Sequence, residues 1–274
     1  MHCYVDDTQL YGSCHRDGRA ALKDRTIKCM DAVASWMASN RLRLNPTKTE
    51  FMWCCTSRRL HVINDAIFNL PDGPVNASTS IRNLGAYFEQ TLTLKDHVNH
   101  LVKSCFYQLR RIRSIRRALP TSAAILLVNS FVVSRVDYCN SILAGAPAIL
   151  TDRVQSVLNA AARLIYGRGR FDHVTDVMRD RLHWLLVPQR IMFKCALLTY
   201  KAQNGLAPNY IARSCVLSSS LQTRYSLRSA SHQVLAVPRC RTRFGERSFT
   251  FAGPTIWNNL PDYVKGADGG ADSV

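Results

Sequence analysis

Two adjacent carboxylates, Asp6 and Asp7, stand near the start of the chain in the stretch "HCYVDDTQLYG", His2 to Gly12. Tyr4 and Val5 before them and Thr8, Gln9 and Leu10 after them favour extended structure, so the pair is expected at the tip of a hairpin. A two-residue hairpin turn ordinarily uses Asn-Gly or Asp-Gly. Neighbouring carboxylates repel each other unless a cation or a basic side chain compensates. Hard oxygen donors of this kind suit Mg²⁺, which takes one or two carboxylates and completes its octahedron with waters and substrate phosphates. In a two-metal mechanism such ions activate an attacking 3′-hydroxyl and stabilise a departing pyrophosphate. A solvated acidic turn is the plainer explanation of the same tetrapeptide.

The second chemical feature is electrostatic. The 274 residues carry 36 Lys plus Arg against 19 Asp plus Glu, a formal charge of +17, which points to a polyanionic partner, with nucleic acid ahead of a membrane surface. The charge is concentrated in "QLRRIRSIRRAL", Gln108 to Leu119, where Leu109, Ile112 and Leu119 can face a core while Arg110, Arg113 and Arg117 follow one another along a helix surface. No acidic residue interrupts that stretch, and Arg111 and Arg116 add to it. A solvated cationic helix face is the alternative. A further basic segment contains Arg213, Arg224, Arg228, Arg239, Arg241, Arg243 and Arg247, with Tyr225, Phe244, Phe249, Phe251 and Trp257 interleaved. Those aromatics could stack exposed bases. Burial is the expected role of Phe251 and Trp257, and of Trp36, Trp53 and Trp184.

The ten cysteines are scattered and only Cys54 and Cys55 are neighbours, a pattern that reads as reduced thiols in an intracellular protein. His97 and His100 have no companion ligands at zinc spacing. The most apolar run, "AAILLVNSFVV" at Ala123 to Val133, is too short to span a bilayer and reads as a buried helix. No signal peptide is apparent, so the expected location is inside the cell, in nucleus, cytoplasm or both.

The elements that must position these groups change character along the chain. After the hairpin, Ile27, Met30, Val33, Ala34 and Met37 recur at helical spacing and predict a helix over roughly Leu22 to Ser39, with Asn40 as a left-handed stop. Leu42 and Leu44 alternate with Arg41 and Arg43, "NPTK" at Asn45 to Lys48 is a turn signal, and "TEFMWCC" from Thr49 reads as a returning strand. Ala66 to Leu70 is a further extended stretch that meets the turn "PDGP". Helices are predicted over Leu94 to Ala118 and Thr121 to Val136. A third is expected with Thr151 as N-cap and a stripe of Val154, Val157, Leu158, Ala161 and Leu164 ending at Gly167. A fourth has Pro188 in its first turn, Ile191, Cys195 and Leu198 on one face, and "NG" at Asn204 to Gly205 as its stop. The fold class expected is α+β, divided into a mixed region 1–93, a helical bundle 94–207 and a basic segment 208–274 that closes on a tail, "GADGGADSV".

Taken together these stretches resemble the reverse transcriptase of non-LTR (LINE-type, Jockey-like) retrotransposons over nearly the whole chain. "YVDDTQLY" at Tyr4 to Tyr11 looks like the YxDD box of the palm, "LRLNPTKTEFM" at Leu42 to Met52 like the next palm motif, and "IRNLGAYFEQTLTLKDHV" at Ile81 to Val98 like the segment that leads into the thumb. "DYCNSILAG", "NAAARLIYG", "LHWLLVPQRIMFK" and "FGERSFTFAGPTIWNNLP" follow in the order of the post-palm signatures. The resemblance implies a partial palm, a thumb-like bundle and RNA-directed DNA polymerase chemistry. Asp6 and Asp7 would be the Mg²⁺-binding catalytic carboxylates, and Lys48 would lie near the triphosphate of the incoming dNTP, although a solvated turn lysine explains it as well. Leu84 and Gly85 would shape the hairpin that grips the primer end, or simply form a tight turn. Arg110, Arg111, Arg113, Arg116 and Arg117 would track the backbone of an RNA template and DNA primer, or of an RNA–DNA hybrid.

In that family, fingers and further palm motifs precede the YxDD box, including the other metal-binding aspartate, whereas three residues precede Tyr4 here. The expectation is a C-terminal polymerase fragment, inactive alone, with no membrane association. Its alternatives are a non-catalytic nucleic-acid-binding remnant and a product without a selected role.

Overall fold

The computed structural model describes residues 2–4, 7–61, 67–70, 73–220 and 234–265. Strands and helices coexist, with helix predominant, which is compatible with α+β. The chain divides into two compact units, 1–96 and 97–274.

The first unit holds three separate antiparallel two-stranded hairpins, β1 (His2–Tyr4) with β2 (Asp7–Gln9), β3 (Ile67–Leu70) with β4 (Gly73–Asn76), and β5 (Ser80–Asn83) with β6 (Ala86–Glu89). Helix α1 (Arg19–Ser39) lies between the first and second hairpins in sequence, and a single turn, α2 (Ser57–Leu60), follows it. The stop of α1 is displaced by one residue from the expected position: Asn40 has φ −95°, and Arg41, at φ 59°, adopts the left-handed conformation. The expected strand pair around "NPTK" does not form. Asn45 instead staples a 3₁₀ turn over Pro46–Lys48, its Oδ1 accepting from the Thr47 N–H at 3.1 Å and the Thr47 hydroxyl at 2.7 Å. Local side-chain bonding of this kind competes with strand pairing. Only Phe51 makes a bridge, to Ala77, with its carbonyl accepting from the Ser78 N–H at 2.7 Å.

Burial in this unit is sparse. Among its described residues only Ala86, Glu89 and Leu94 are buried. The predicted stripe of α1 is half-buried at Ile27, Met30, Val33, Ala34 and Met37, and Trp36, expected in a core, is 61% exposed. Trp53 is half-buried, edge-on to Phe51.

The second unit is a helical body with its own buried core. Its principal helices are α3 (Lys95–Ile115), which begins two residues before the boundary, α4 (Thr121–Val128), α5 (Ser134–Asp137), α6 (Ala148–Tyr166), α7 (Val187–Gln203), α8 (Asn209–Ala212), α9 (Phe249–Asn258) and α10 (Asp262–Lys265). The core side chains come from α3 (Val98, Cys105, Leu109, Ile112), α4 (Ala124, Val128), α6 (Val154, Val157, Leu158, Ala161, Ile165) and α7 (Ile191, Cys195). Helix α6 starts earlier than expected, after Pro147, so Thr151 sits inside its first turn and donates its hydroxyl to the Ala148 carbonyl rather than capping. The predicted helix over 121–136 is interrupted by a π-helical turn at Asn129–Val133. That wider turn brings both Val132 and Val133 inward, and the Cys105 thiol, fully buried, contacts the Val132 carbonyl. Helix α7 starts at the expected Pro188 turn, its Val187 N–H bonded to Gln155 Oε1 of α6 at 2.8 Å, and it ends at Asn204 and Gly205, φ 68°.

After residue 208 the described chain packs back onto α7 in the same unit. Trp257 of α9 is buried with Ala202, Cys215 and Leu235, and Phe249 rests against this cluster, while Phe251 is half-buried. Arg224, Tyr225, Arg228 and the tail 266–274 lie outside the described residues. No described helix is long and apolar enough to cross a membrane.

Candidate nucleic-acid interface

The carboxylate pair is only partly visible. Asp7 opens β2 and pairs with Tyr4, so it is a strand residue, not a turn residue, and it is exposed; Asp6 lies outside the described residues. Lys48 is exposed at the end of the 3₁₀ turn that Asn45 holds. No hydrogen bond or ion pair among the described residues joins Lys48 to Asp7. Asp7 offers one exposed carboxylate, the kind of oxygen donor that Mg²⁺ combines with waters and substrate phosphates. In the third hairpin, Leu84 and Gly85 are the two turn residues, at φ 44° and 85°, the positive values that the favoured two-residue hairpin turn requires at both positions. His97 is buried in α3, whereas His100 is exposed.

Helix α3 sorts its side chains cleanly. Val98, Cys105, Leu109 and Ile112 recur at spacings of seven, four and three and turn inward, which leaves Lys103, Arg110 and Ser114 exposed on the opposite side and Arg113 exposed at its flank. Arg111 is also exposed, its guanidinium 5.8 Å from the centroid of the Tyr107 ring, itself 51% exposed. Arg117, in the 3₁₀ turn Arg116–Ala118 that continues the helix, is exposed as well. Ion pairs among the described residues include Arg179 with Asp176 and Asp180, and Arg190 with Asp137; none involves Arg110, Arg111, Arg113 or Arg117. These four cations present their charge to solvent, where a polyanion can displace counterions and bind.

Arg116 is differently placed. It stands seven residues after Leu109 and four after Ile112, in phase with the buried side of α3. Its Nη2 donates to the Ile165 carbonyl at 2.6 Å, its Nε to the Leu164 carbonyl at 3.2 Å, and its Nη1 to the Leu119 carbonyl at 2.8 Å. The last turn of a helix leaves carbonyls without intrahelical partners and carries partial negative charge, so a guanidinium there is both donor and counter-charge. Gly167, left-handed at φ 64°, completes the cap of α6 with its N–H bonded to the Arg163 carbonyl. Arg116 thereby fastens the C-terminal end of α3 to that of α6.

The segment that leaves this cap, Gly167 to His173, is exposed throughout. Asp172 organises it: the carboxylate accepts from the Gly169 N–H at 2.8 Å, and the Asp172 carbonyl accepts from Arg163 Nε and Nη2 at 3.1 and 3.0 Å. A Cβ at Gly169 would come within 3.3 Å of that carboxylate. Arg168 and Arg170 project from a loop fixed in this way, and Phe171 is 87% exposed with the Arg170 guanidinium 5.6 Å from its ring centroid. The sequence signal for this loop is "GRGRF", a glycine-spaced pair of arginines and an aromatic, directly after the stripe of α6 ends.

Compared with protein-family models, curated proteins and solved structures, the chain matches none.

Proposed function

We propose that the chain is the C-terminal part of an RNA-directed DNA polymerase of the non-LTR retrotransposon type, acting inside the cell, and that its own contribution is to hold nucleic acid by the backbone. In this reading the hairpins and α1 belong to a palm, the helices from α3 onward to a thumb, and the basic segment after residue 208 supplies further contacts to nucleic acid. The support is the order of motifs along the sequence. The observation that carries the binding role is the side of α3 on which Arg110, Arg113 and Arg117, joined by Arg111, stand exposed and outside every ion pair among the described residues. The partners are an RNA template with a DNA primer, or an RNA–DNA hybrid. Mg²⁺ and dNTP belong to the complete enzyme, where Asp6 and Asp7 would hold the metal and Lys48 would neutralise the leaving pyrophosphate; the chain by itself does not extend a primer.

Titration of the purified chain with an RNA–DNA hybrid over a range of salt concentrations tests the binding role. Affinity is expected to fall steeply with salt, and replacing Arg110, Arg113 and Arg117 together by Ala should flatten the log–log slope by about 0.7–0.9 per lost phosphate contact. An unchanged affinity and slope would overturn the role given to α3. Mg²⁺-dependent primer extension that Asp6→Ala abolishes would overturn the inactivity of the isolated chain.

A further inference from the structure

We propose that the loop Gly167 to His173 is a stacking site for an unpaired base of single-stranded nucleic acid, with Phe171 as the platform and Arg168 and Arg170 taking flanking phosphates. The inference rests on the nucleic-acid reading above and adds a different kind of contact to it: α3 offers charge to a backbone, whereas this loop offers a π-face to a base.

Singly exposed apolar side chains are common and by themselves carry no meaning. Three further observations separate Phe171 from that background. The loop is held in one shape at both ends and in its middle. Ile165 and Val174 are buried on either side, the Gly167 cap closes α6, and Asp172 bonds to Gly169 and Arg163. Exposure of the ring is therefore built into a fixed turn, so little ordering entropy is lost when a ligand meets it. Next, the Arg170 guanidinium stands over the ring at 5.6 Å while the ring remains 87% exposed, so a cation backs one face and the other is open. A base laid on the open face completes an arginine, phenyl and base stack, and every base has a face that can do so.

Continuity with the cationic surface is the third observation. Arg116 bonds the Leu164 and Ile165 carbonyls, so Arg117 follows that junction immediately and Arg168 lies three residues past Ile165. Three residues span at most about 10 Å of chain. A strand with a phosphate on Arg117, where the arginines of α3 end, is thus brought to the root of the loop, where its next bases meet Phe171. Duplex bases are already stacked on one another and have no free face to give. The loop consequently favours a single strand, a frayed end or a strand leaving a hybrid.

The experiment is a set of anisotropy titrations on the full chain with three labelled probes: a short oligouridine, an abasic strand of the same length, and an RNA–DNA hybrid of that length. The chain should bind oligouridine more tightly than the abasic strand. Phe171→Ala and Phe171→Leu should abolish that preference, lowering oligouridine affinity roughly fivefold to a hundredfold, while Phe171→Tyr retains it. Hybrid affinity should be the same in all four proteins. Equal affinity of wild type for oligouridine and the abasic strand, or no effect of Phe171→Ala and Phe171→Leu, would overturn the stacking site while leaving backbone binding by α3 in place. Failure of the wild-type chain to bind any of the three probes would overturn both readings. Circular dichroism checks that the variants, altered at an exposed loop position, fold as the wild type does.

Discussion

Arg116 and Arg117 are consecutive in sequence and chemically identical, yet their guanidinium groups meet different surroundings. Arg117 is exposed, whereas Arg116 spends its donors on the Leu164, Ile165 and Leu119 carbonyls. Replacing Arg116 by Ala strands two carbonyls at the end of α6 and removes charge-assisted bonds, a loss of about 2–3 kcal/mol. The thermal midpoint should fall by about 5–10 °C. Arg117→Ala should shift stability by less than about 0.5 kcal/mol, because an exposed side chain without such partners has little to lose. Equal effects of the two substitutions would refute the division. A second prediction concerns thiols. Burial, for Cys105 opposed in part by Arg135, raises the pKa of Cys105 and of Cys195 from an ordinary 9.0 to about 11. The folded chain therefore holds these protons more tightly than the unfolded chain, so their contribution to stability is complete below pH 9 and is lost as pH rises from 9 through 11. Urea midpoints should drop more steeply between pH 8 and 10.5 in the wild type than in Cys105→Ala/Cys195→Ala, even though that variant starts less stable for want of core volume.

At the scale of elements, what could be read from the sequence and what could not divide along a physical line. The buried stripe of α6, its stop at Gly167 and the start of α7 at Pro188 are all dictated by local residue type, and each is found in place. The last helical residue of α1, Ser39, is also where the periodicity puts it. Two features depend on more distant or subtler choices. Thr151 is a good capping residue in isolation, but Pro147, four residues before it, takes the cap position and α6 starts at Ala148. The π-helical turn at Asn129–Val133 has no local signature, since an unbroken helix and a widened one share the same apolar composition. The strand pair expected around Lys48 failed because alternation over four residues is weak evidence against a side chain such as Asn45, which satisfies the backbone on the spot. Arg116 illustrates the same limit at the interface. Its phase with Leu109 and Ile112 was visible in the sequence, but its partners lie forty-eight and forty-nine residues away on α6.

Across the whole molecule, burial is distributed very unequally. The unit 97–274 has a core in which Val98, Val128, Val154, Val157, Leu158 and Ile165 are fully enclosed, whereas the described part of 1–96 encloses Ala86, Glu89 and Leu94. Hydrophobic stabilisation scales with the apolar area removed from water, and the half-buried stripe of α1 gains only part of it. The net charge of +17 adds self-repulsion that a polyanion relieves. The expected α+β class holds in the coarse sense that one chain carries both antiparallel hairpins and, in greater number, helices.

That inequality can be expressed as time. Amides of α6 can meet solvent deuterium only through openings that disrupt the enclosed core, which occur rarely, whereas those of α1 need only shed a half-covered helix. In hydrogen–deuterium exchange followed by mass spectrometry, peptides from Arg19–Ser39 should label orders of magnitude sooner than peptides from Ala148–Tyr166. Equal labelling rates would show that α1 is as firmly held as α6. With the expected ordering, added nucleic acid that slows α6 but not α1 would register, peptide by peptide, which part of the chain the ligand holds.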